Sequence, residues 1–319
     1  MLARLAENLF WAGRYIERAE DTARMVDVTY HTLLESPQAA EAEAWAELLD
    51  VLHLRAAYEE KHDAVTAQDV TRFLVLDEDN PGSIMAAVAL ARENTRSVRE
   101  LVSTELWEAV NSFYLELRRR DLGEDVATQP YELFSIVKRR CQTVTGVAVE
   151  TMPRDDGWRF MTLGRMLERA EMTSRLLDVR FGQLVSFAAP LAFHHWVAVL
   201  KSASAFEAYR KAYRASMEPA NVVEFLLLSP DFPRSVRYCL EHADQQLARL
   251  GDPDRMGPSR RRIGRAYAEL QYREVDELLD DLHPFLDRIQ QNVWRVADTV
   301  ADEFFRHAPD GGQQSLTTT

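Results

Sequence analysis

Cysteine is scarce in this chain: two in 319 residues, Cys141 and Cys239, at no patterned spacing. That excludes a disulfide framework and a zinc site, and a reduced, cytoplasmic setting is expected. Glycine and proline are also few, 12 each, which disfavours a turn-rich β fold. No long apolar run exists; the longest, near "LAFHHWVAVL", is far short of a bilayer span. The opening "MLARLAENLFWAGR" carries charges every few residues and reads as neither signal peptide nor membrane anchor. Positive charge is in deficit, 38 Lys and Arg against 51 Asp and Glu, for a net charge of −13. Nucleic acid and anionic membranes are therefore poor partners. Both glycine-rich phosphate loops, G-x-x-x-x-G-K and G-x-G-x-x-G, are missing, so ATP is not bound through either. Neither His194–His195 nor any serine has the setting of a nucleophile.

What is present is helical rhythm. Leu2, Leu5, Leu9, Ala12, Ile16, Ala19, Ala23, Val26, Tyr30 and Leu33 step by three and four, one stripe of a long helix that Pro37 stops. Phe160, Leu163, Leu167, Ala170, Ser174, Leu177, Phe181 and Leu184 repeat it, ending before Pro190. Helices are expected at 2–35, 40–62, 67–76, 83–118, 131–150, 157–187, 191–217, 219–228, 234–250 and 259–306, with Pro284 breaking or kinking the last. Turns are signalled by "DNPG", "DLGED", "TMPRDDG" and "GDPDRMGP". The polar tail 307–319 reads as disordered.

The chain also repeats itself. "GRYIERAEDTAR" (Gly13–Arg24) returns as "GRMLERAEMTSR" (Gly164–Arg175), 151 positions on. Trp45 and Tyr58 match Trp196 and Tyr209 at the same offset, and "FLVLDEDNPGSI" matches "FLLLSPDFPRSV" at 152. Ser83 and Ser235 are the expected N-caps there. The expectation is an all-α fold: an internally duplicated helical bundle of two pseudo-symmetric halves, 1–150 and 151–306, packed as one globule.

Between Gly13–Asp27 and Gly164–Asp178, nine of fifteen positions are identical, and the identities favour charged over packing residues. Three readings follow for Arg14, Glu17, Arg18, Glu20 and Arg24, and for Arg165, Glu168, Arg169, Glu171 and Arg175. They could be surface pairs, each contributing about 0.3–0.5 kcal/mol. They could form a buried network in which Glu17 or Glu20 meets Arg169 or Arg165 and the converse, where losing one partner costs several kcal/mol. Or they could line a polar pocket, arginines facing carboxylate or phosphate and glutamates facing an amine or metal. A second anion-site candidate is "ARENTRSVR", which spaces Arg92, Arg96 and Arg99 along one helix face beside Glu93 and Asn94.

Other motifs are weaker. Glu59 and His62 give one Glu-x-x-His where a di-metal bundle needs two, so no metal site is expected. "DELLDDLH" (Asp276–His283) lacks a facing aspartate set, and the basic run Asp254–Arg265 reads as a solvated turn.

The twin "ERAE" motifs, with "ARENTR" following "NPGSI", resemble the bacterial alpha-E family, an all-helical family named for its glutamate–arginine motif. The resemblance covers nearly the whole chain except the tail. It implies a neighbour: members are encoded beside, or fused to, a circularly permuted ATP-grasp protein, often with a transglutaminase-like protease. It carries over no catalytic residue and no cofactor. The expected function is an accessory or substrate- and partner-binding protein of an ATP-grasp-linked peptide ligation or modification system. The alternatives are an enzyme in its own right, using paired Glu and Arg as acid/base and anion site, and a purely structural homo-oligomer.

Overall fold

The computed structural model describes residues 1–34, 41–184, 189–214, 217–251, 256–279 and 281–306. The expected stop at Pro37, part of the "GDPDRMGP" turn, Asp280 of the "DELLDDLH" stretch and the tail 307–319 lie outside them. Among the described residues the protein is all-helical. In chain order the helices are α1 (Ala3–Leu34), α2 (Glu41–Val51), α3 (Arg55–Glu59), α4 (Ala67–Val75), α5 (Ile84–Ser97), α6 (Thr104–Arg119), α7 (Leu122–Thr128) and α8 (Pro130–Thr151). There follow α9 (Asp156–Leu184), α10 (Ala189–Ser202), α11 (Phe206–Tyr213), α12 (Pro219–Leu228), α13 (Val236–Leu250), α14 (Pro258–Gln271), α15 (Val275–Leu279) and α16 (Leu282–Val300), with a π turn over Ala301–Phe305.

The two motif helices form the centre. α1 packs along α9, and each has its own flanking set: α5 and α8 lie on α1, α13 and α16 lie on α9. α6 closes the first set by touching α5 and α8, as α14 closes the second by touching α13 and α16. α1 is consequently buried on nearly every side from Ala12 to Asp27, where only Tyr15 and Arg18 are partly exposed. A helix enclosed in this way would ordinarily be apolar all round. This one buries Arg14, Glu17, Glu20, Asp21, Arg24 and Asp27 instead.

Glycine makes the approach possible. A Cβ on Gly13 would be driven into the Met161 carbonyl oxygen, and one on Gly164 into the Phe10 carbonyl oxygen. The two helices thus touch backbone to backbone at both places, which only glycine permits.

Several expected helices are divided. The span 40–62 breaks after α2, where His53 has φ 55°, and 191–217 breaks after α10, where Ser204 has φ 51°. The span 83–118 is two helices, since α5 stops at Ser97 and Ser103 caps α6 by accepting from the Leu106 N–H. The span 259–306 is three helices and a π turn. Pro284 does not break it. It sits in the first turn of α16, where the missing N–H costs no helical bond. "DLGED" holds a helix start as well as a turn, for Asp121 caps α7 through the Glu124 N–H. Ser83 and Ser235 cap α5 and α13 as expected, accepting from the Ala86 and Tyr238 N–H groups. Trp45, Trp196, Tyr58 and Tyr209 are all fully buried.

Candidate functional site: the Glu–Arg network between α1 and α9

The glutamates of the two ER dipeptides, Glu17 and Glu168, are each clasped by arginines of the other helix. Glu168 accepts from Arg18 Nε at 2.6 Å and Arg18 Nη2 at 3.0 Å, and from Arg14 Nε at 2.6 Å. Glu17 accepts from Arg169 Nε at 2.7 Å and Arg169 Nη2 at 2.8 Å. These fork-on-fork pairs are the strong form of the interaction. Arg14 also donates to Glu171 at 2.5 Å, and Arg175 is paired with Glu171. Arg24 donates to Asp21 at 2.6 Å and is paired with Glu20. Nine of the ten motif side chains are thus ion-paired, six of them across α1 and α9 as the buried-network reading expects, with Arg24–Glu20 and Arg175–Glu171 paired along their own helices. Arg165 is the exception: its Nε is buried with no hydrogen-bond partner. The surface-pair reading is overturned, since both glutamates of the paired "ER" dipeptides are about 1–4% exposed.

Three participants carry no repeated signature. Arg234, at the N-terminal edge of α13, donates to Glu17 at 2.7 Å, Asp21 at 2.8 Å and Glu20 at 3.1 Å. Gln142 of α8 reaches Glu20 at 3.3 Å. Asp21 takes a hydrogen bond from Arg24 and another from Arg234 on Oδ1, while its Oδ2 is buried without a partner. In the aligned stretches Asp21 corresponds to Met172 and Arg234 to Gly82. A comparison that counts identities passes over both. The sequence signal was the presence of a charge on one side only.

The electrostatics follow from this placement. Burial alone would push the Glu168 carboxyl up, but the Arg18 and Arg14 guanidiniums outweigh it and hold the group down at about 2. Glu17 is buried too, and Arg169 and Arg234 hold it well below the usual carboxylate range. Asp21 goes the other way: burial, with Glu17 and Glu20 nearby, outweighs Arg234 and pushes it up to about 6. Burial, with Arg169 and Arg234 nearby, lowers Arg165 to about 10, so it is still a cation at neutral pH.

The aspartates closing the repeated stretches tie the central helices to their flanking sets. Asp27 accepts from Lys138 of α8 at 2.6 Å. Asp178 meets His283 at 2.5 Å and Gln290 at 3.1 Å, both on α16.

The second candidate differs from its expected form. Arg92 and Arg96 lie on α5, but Arg99 lies beyond its end, so the three do not share one helix face. Arg92 donates to Asn111 at 2.7 Å and Glu93 at 2.6 Å, and lies over Tyr114 at 4.8 Å. Arg96 is exposed and bonded to Glu93 at 2.9 Å. Arg99 lies over Trp107 at 5.4 Å, a ring Arg92 also approaches at 5.7 Å. Asn94 is half-buried. The result is an exposed arginine–aromatic patch. Among the described residues no group of three or more His, Cys, Asp or Glu is placed to hold a metal. The His62 ring is stacked on Tyr58 at 4.2 Å. Both cysteines are free and buried.

Fold and site together define an all-helical protein whose two central helices are locked by reciprocal glutamate–arginine pairs. The chain belongs to the alpha-E family, described as a predicted alpha-helical domain with a conserved ER motif, whose model matches residues 1–305. The dipeptides Glu17–Arg18 and Glu168–Arg169 at the heart of the network are the glutamate–arginine motif read from the sequence. The chain is similar to uncharacterized proteins of Mycobacterium bovis and of Mycobacterium tuberculosis strains CDC 1551 and H37Rv, each 28% identical over 340 residues. These matches cover 98% of this chain but 38% of each relative's length. No solved structure matches it. No helix among the described residues is long and apolar enough to cross a membrane.

Proposed function

We propose that this protein is a non-catalytic accessory component of an ATP-grasp-linked peptide ligation or modification system in the cytoplasm. It would bind the circularly permuted ATP-grasp protein or its peptide substrate, with a transglutaminase-like protease as a further member of the system. One observation carries the non-catalytic part: both motif glutamates are clasped by arginines across α1 and α9, and Glu168 is held at about 2. A carboxylate of that pKa is a poor general base at neutral pH. The motif then serves to lock the central helices, and binding falls to the arginine–aromatic patch around Arg92 and Arg99 and to the half-buried, unpaired Arg165.

The frame is proposed to be two copies of one unit, 1–150 and 151–306, related by a pseudo-twofold axis between α1 and α9. Supporting this are the matched flanking helix sets, the left-handed residues His53 and Ser204, and the reciprocal Gly13 and Gly164 contacts.

Co-purification with the adjacent ATP-grasp protein tests the role. A stable complex, or a change in ligase turnover on adding this chain, is expected; the absence of both would sink the proposal. The enzyme alternative now rests on Asp21, whose pKa near 6 and bare Oδ2 suit proton transfer better than the motif glutamates do. The homo-oligomer alternative is read by light scattering.

A further inference from the structure

Arg165 is the motif arginine without a counterion. At the matching place on α1, Arg14 donates to Glu168 and Glu171. The carboxylates that stand in the same relation to Arg165 are Glu17 and Glu20, and both are already engaged. Glu17 is held by Arg169 and Arg234, and Glu20 by Arg24 and Arg234. Arg234 reaches in from the position that Gly82 occupies in the first repeat stretch, so nothing comparable displaces Arg14. Among the described residues Arg165 has no hydrogen bond and no ion pair, and its Nε is closed off from solvent with no acceptor.

The side chain lines a small pocket at the α1–α9 contact. Its walls are Gly13, Ile16, Thr145, Trp158 and Thr162. The space admits about one water-sized group, so it can receive the tip of a ligand and not a whole one. An unpartnered guanidinium donor seeks an anionic acceptor, and in so small a space a carboxylate, the smaller group, suits better than a phosphate. We infer that the pocket beside Arg165 is a subsite for one carboxylate group, presented by a peptide. The inference rests on reading this protein as a peptide- or partner-binding one, but not on which partner it meets.

The test is NMR on the full chain with 15N-labelled arginine, following the Nε–H resonances during titration with acetate. Arg165 should shift saturably while Arg14 does not, and R165Q should abolish the effect with the fold intact. R165K keeps the charge without the Nε donor and should bind acetate about tenfold more weakly, read at the backbone amides lining the pocket. N-acetyl-diglycine and N-acetyl-glutamate α-amide then separate a chain terminus from a side chain as the source, the tighter of the two naming it. No saturable shift at Arg165, a shift that persists in R165Q, or inorganic phosphate binding as tightly as acetate would each overturn the subsite. The titration contains no ATP-grasp protein, so a failed co-purification leaves it standing, and its failure leaves the accessory role to be judged by co-purification.

Discussion

At the scale of single residues, Arg234 shows how two similar stretches come to differ in their ion pairing. It brings a cation to Glu17, Glu20 and Asp21. Where Arg234 has Gly82 as its sequence counterpart, Asp21 has Met172 and Ala205 has Leu54; the Leu54 side chain packs against Gly82. A charge pair on one side thus stands against an apolar filling on the other. R234M should therefore cost about 3–5 kcal/mol, since it leaves buried carboxylates short of a partner. R234M combined with D21M should recover part of that loss, a coupling of about 0.5–3 kcal/mol in a urea-unfolding double-mutant cycle. Strict additivity would contradict the pairing.

E17Q and E168Q should each destabilise by a similar 3–5 kcal/mol, read as a drop in thermal midpoint. The pH dependence has two opposed parts. Glu168, held at about 2 against an ordinary 4.5, contributes stability that is complete above 4.5 and lost as pH falls toward 2. Asp21, raised to about 6 from 3.8, holds its proton more tightly when folded, so its effect lowers stability as pH climbs from about 4 to 6. D21N should flatten that second decline, comparing urea midpoints at pH 4.5 and pH 7. The ten motif residues were legible because they match between stretches. Arg234, Asp21 and Gln142 were not, because a one-sided charge has no match to be counted.

At the scale of elements, the helices were legible by their apolar period and their serine caps, while their interruptions were not. The breaks at His53 and Ser204 use left-handed backbone on non-glycine residues, which no turn signature announces. The amphipathic stripe of α1 marked one buried face, and the polar face gave no sign that α9 would cover it. That burial is a product of tertiary packing, reached only through Gly13 and Gly164. G13A and G164A should each destabilise by about 3 kcal/mol or more, because the obstacle is backbone and cannot swing aside. The gain in helix propensity, about 1 kcal/mol, offsets this only in part. G146A is the control, since a Cβ there meets nothing within 4 Å. Equal midpoints for all three variants would refute the close contact.

At the scale of the whole molecule, composition sufficed for an all-α fold, and the twin motifs pointed to the family. How the pieces interlock was beyond the periodic pattern. The charges of α1 are neutralised by α9 and Arg234, so residues 1–150 alone would leave Glu17 buried without Arg169 or exposed with its apolar neighbours. The fragment 1–150 should be poorly folded by circular dichroism, and adding 151–306 should restore helix content. An independently cooperative 1–150 would show that the network is dispensable to folding.

The backbone contact at Gly13 and Gly164 also governs how the molecule can move. Two rods pressed together at two neighbouring places and pinned by ion pairs cannot slide, because sliding would push side chains into the space the glycines keep clear. The Arg165 amide lies 3.3 Å from the place a Gly13 Cβ would occupy, at the contact itself. A group seated against Arg165 would therefore press on the tightest point of the helix pair.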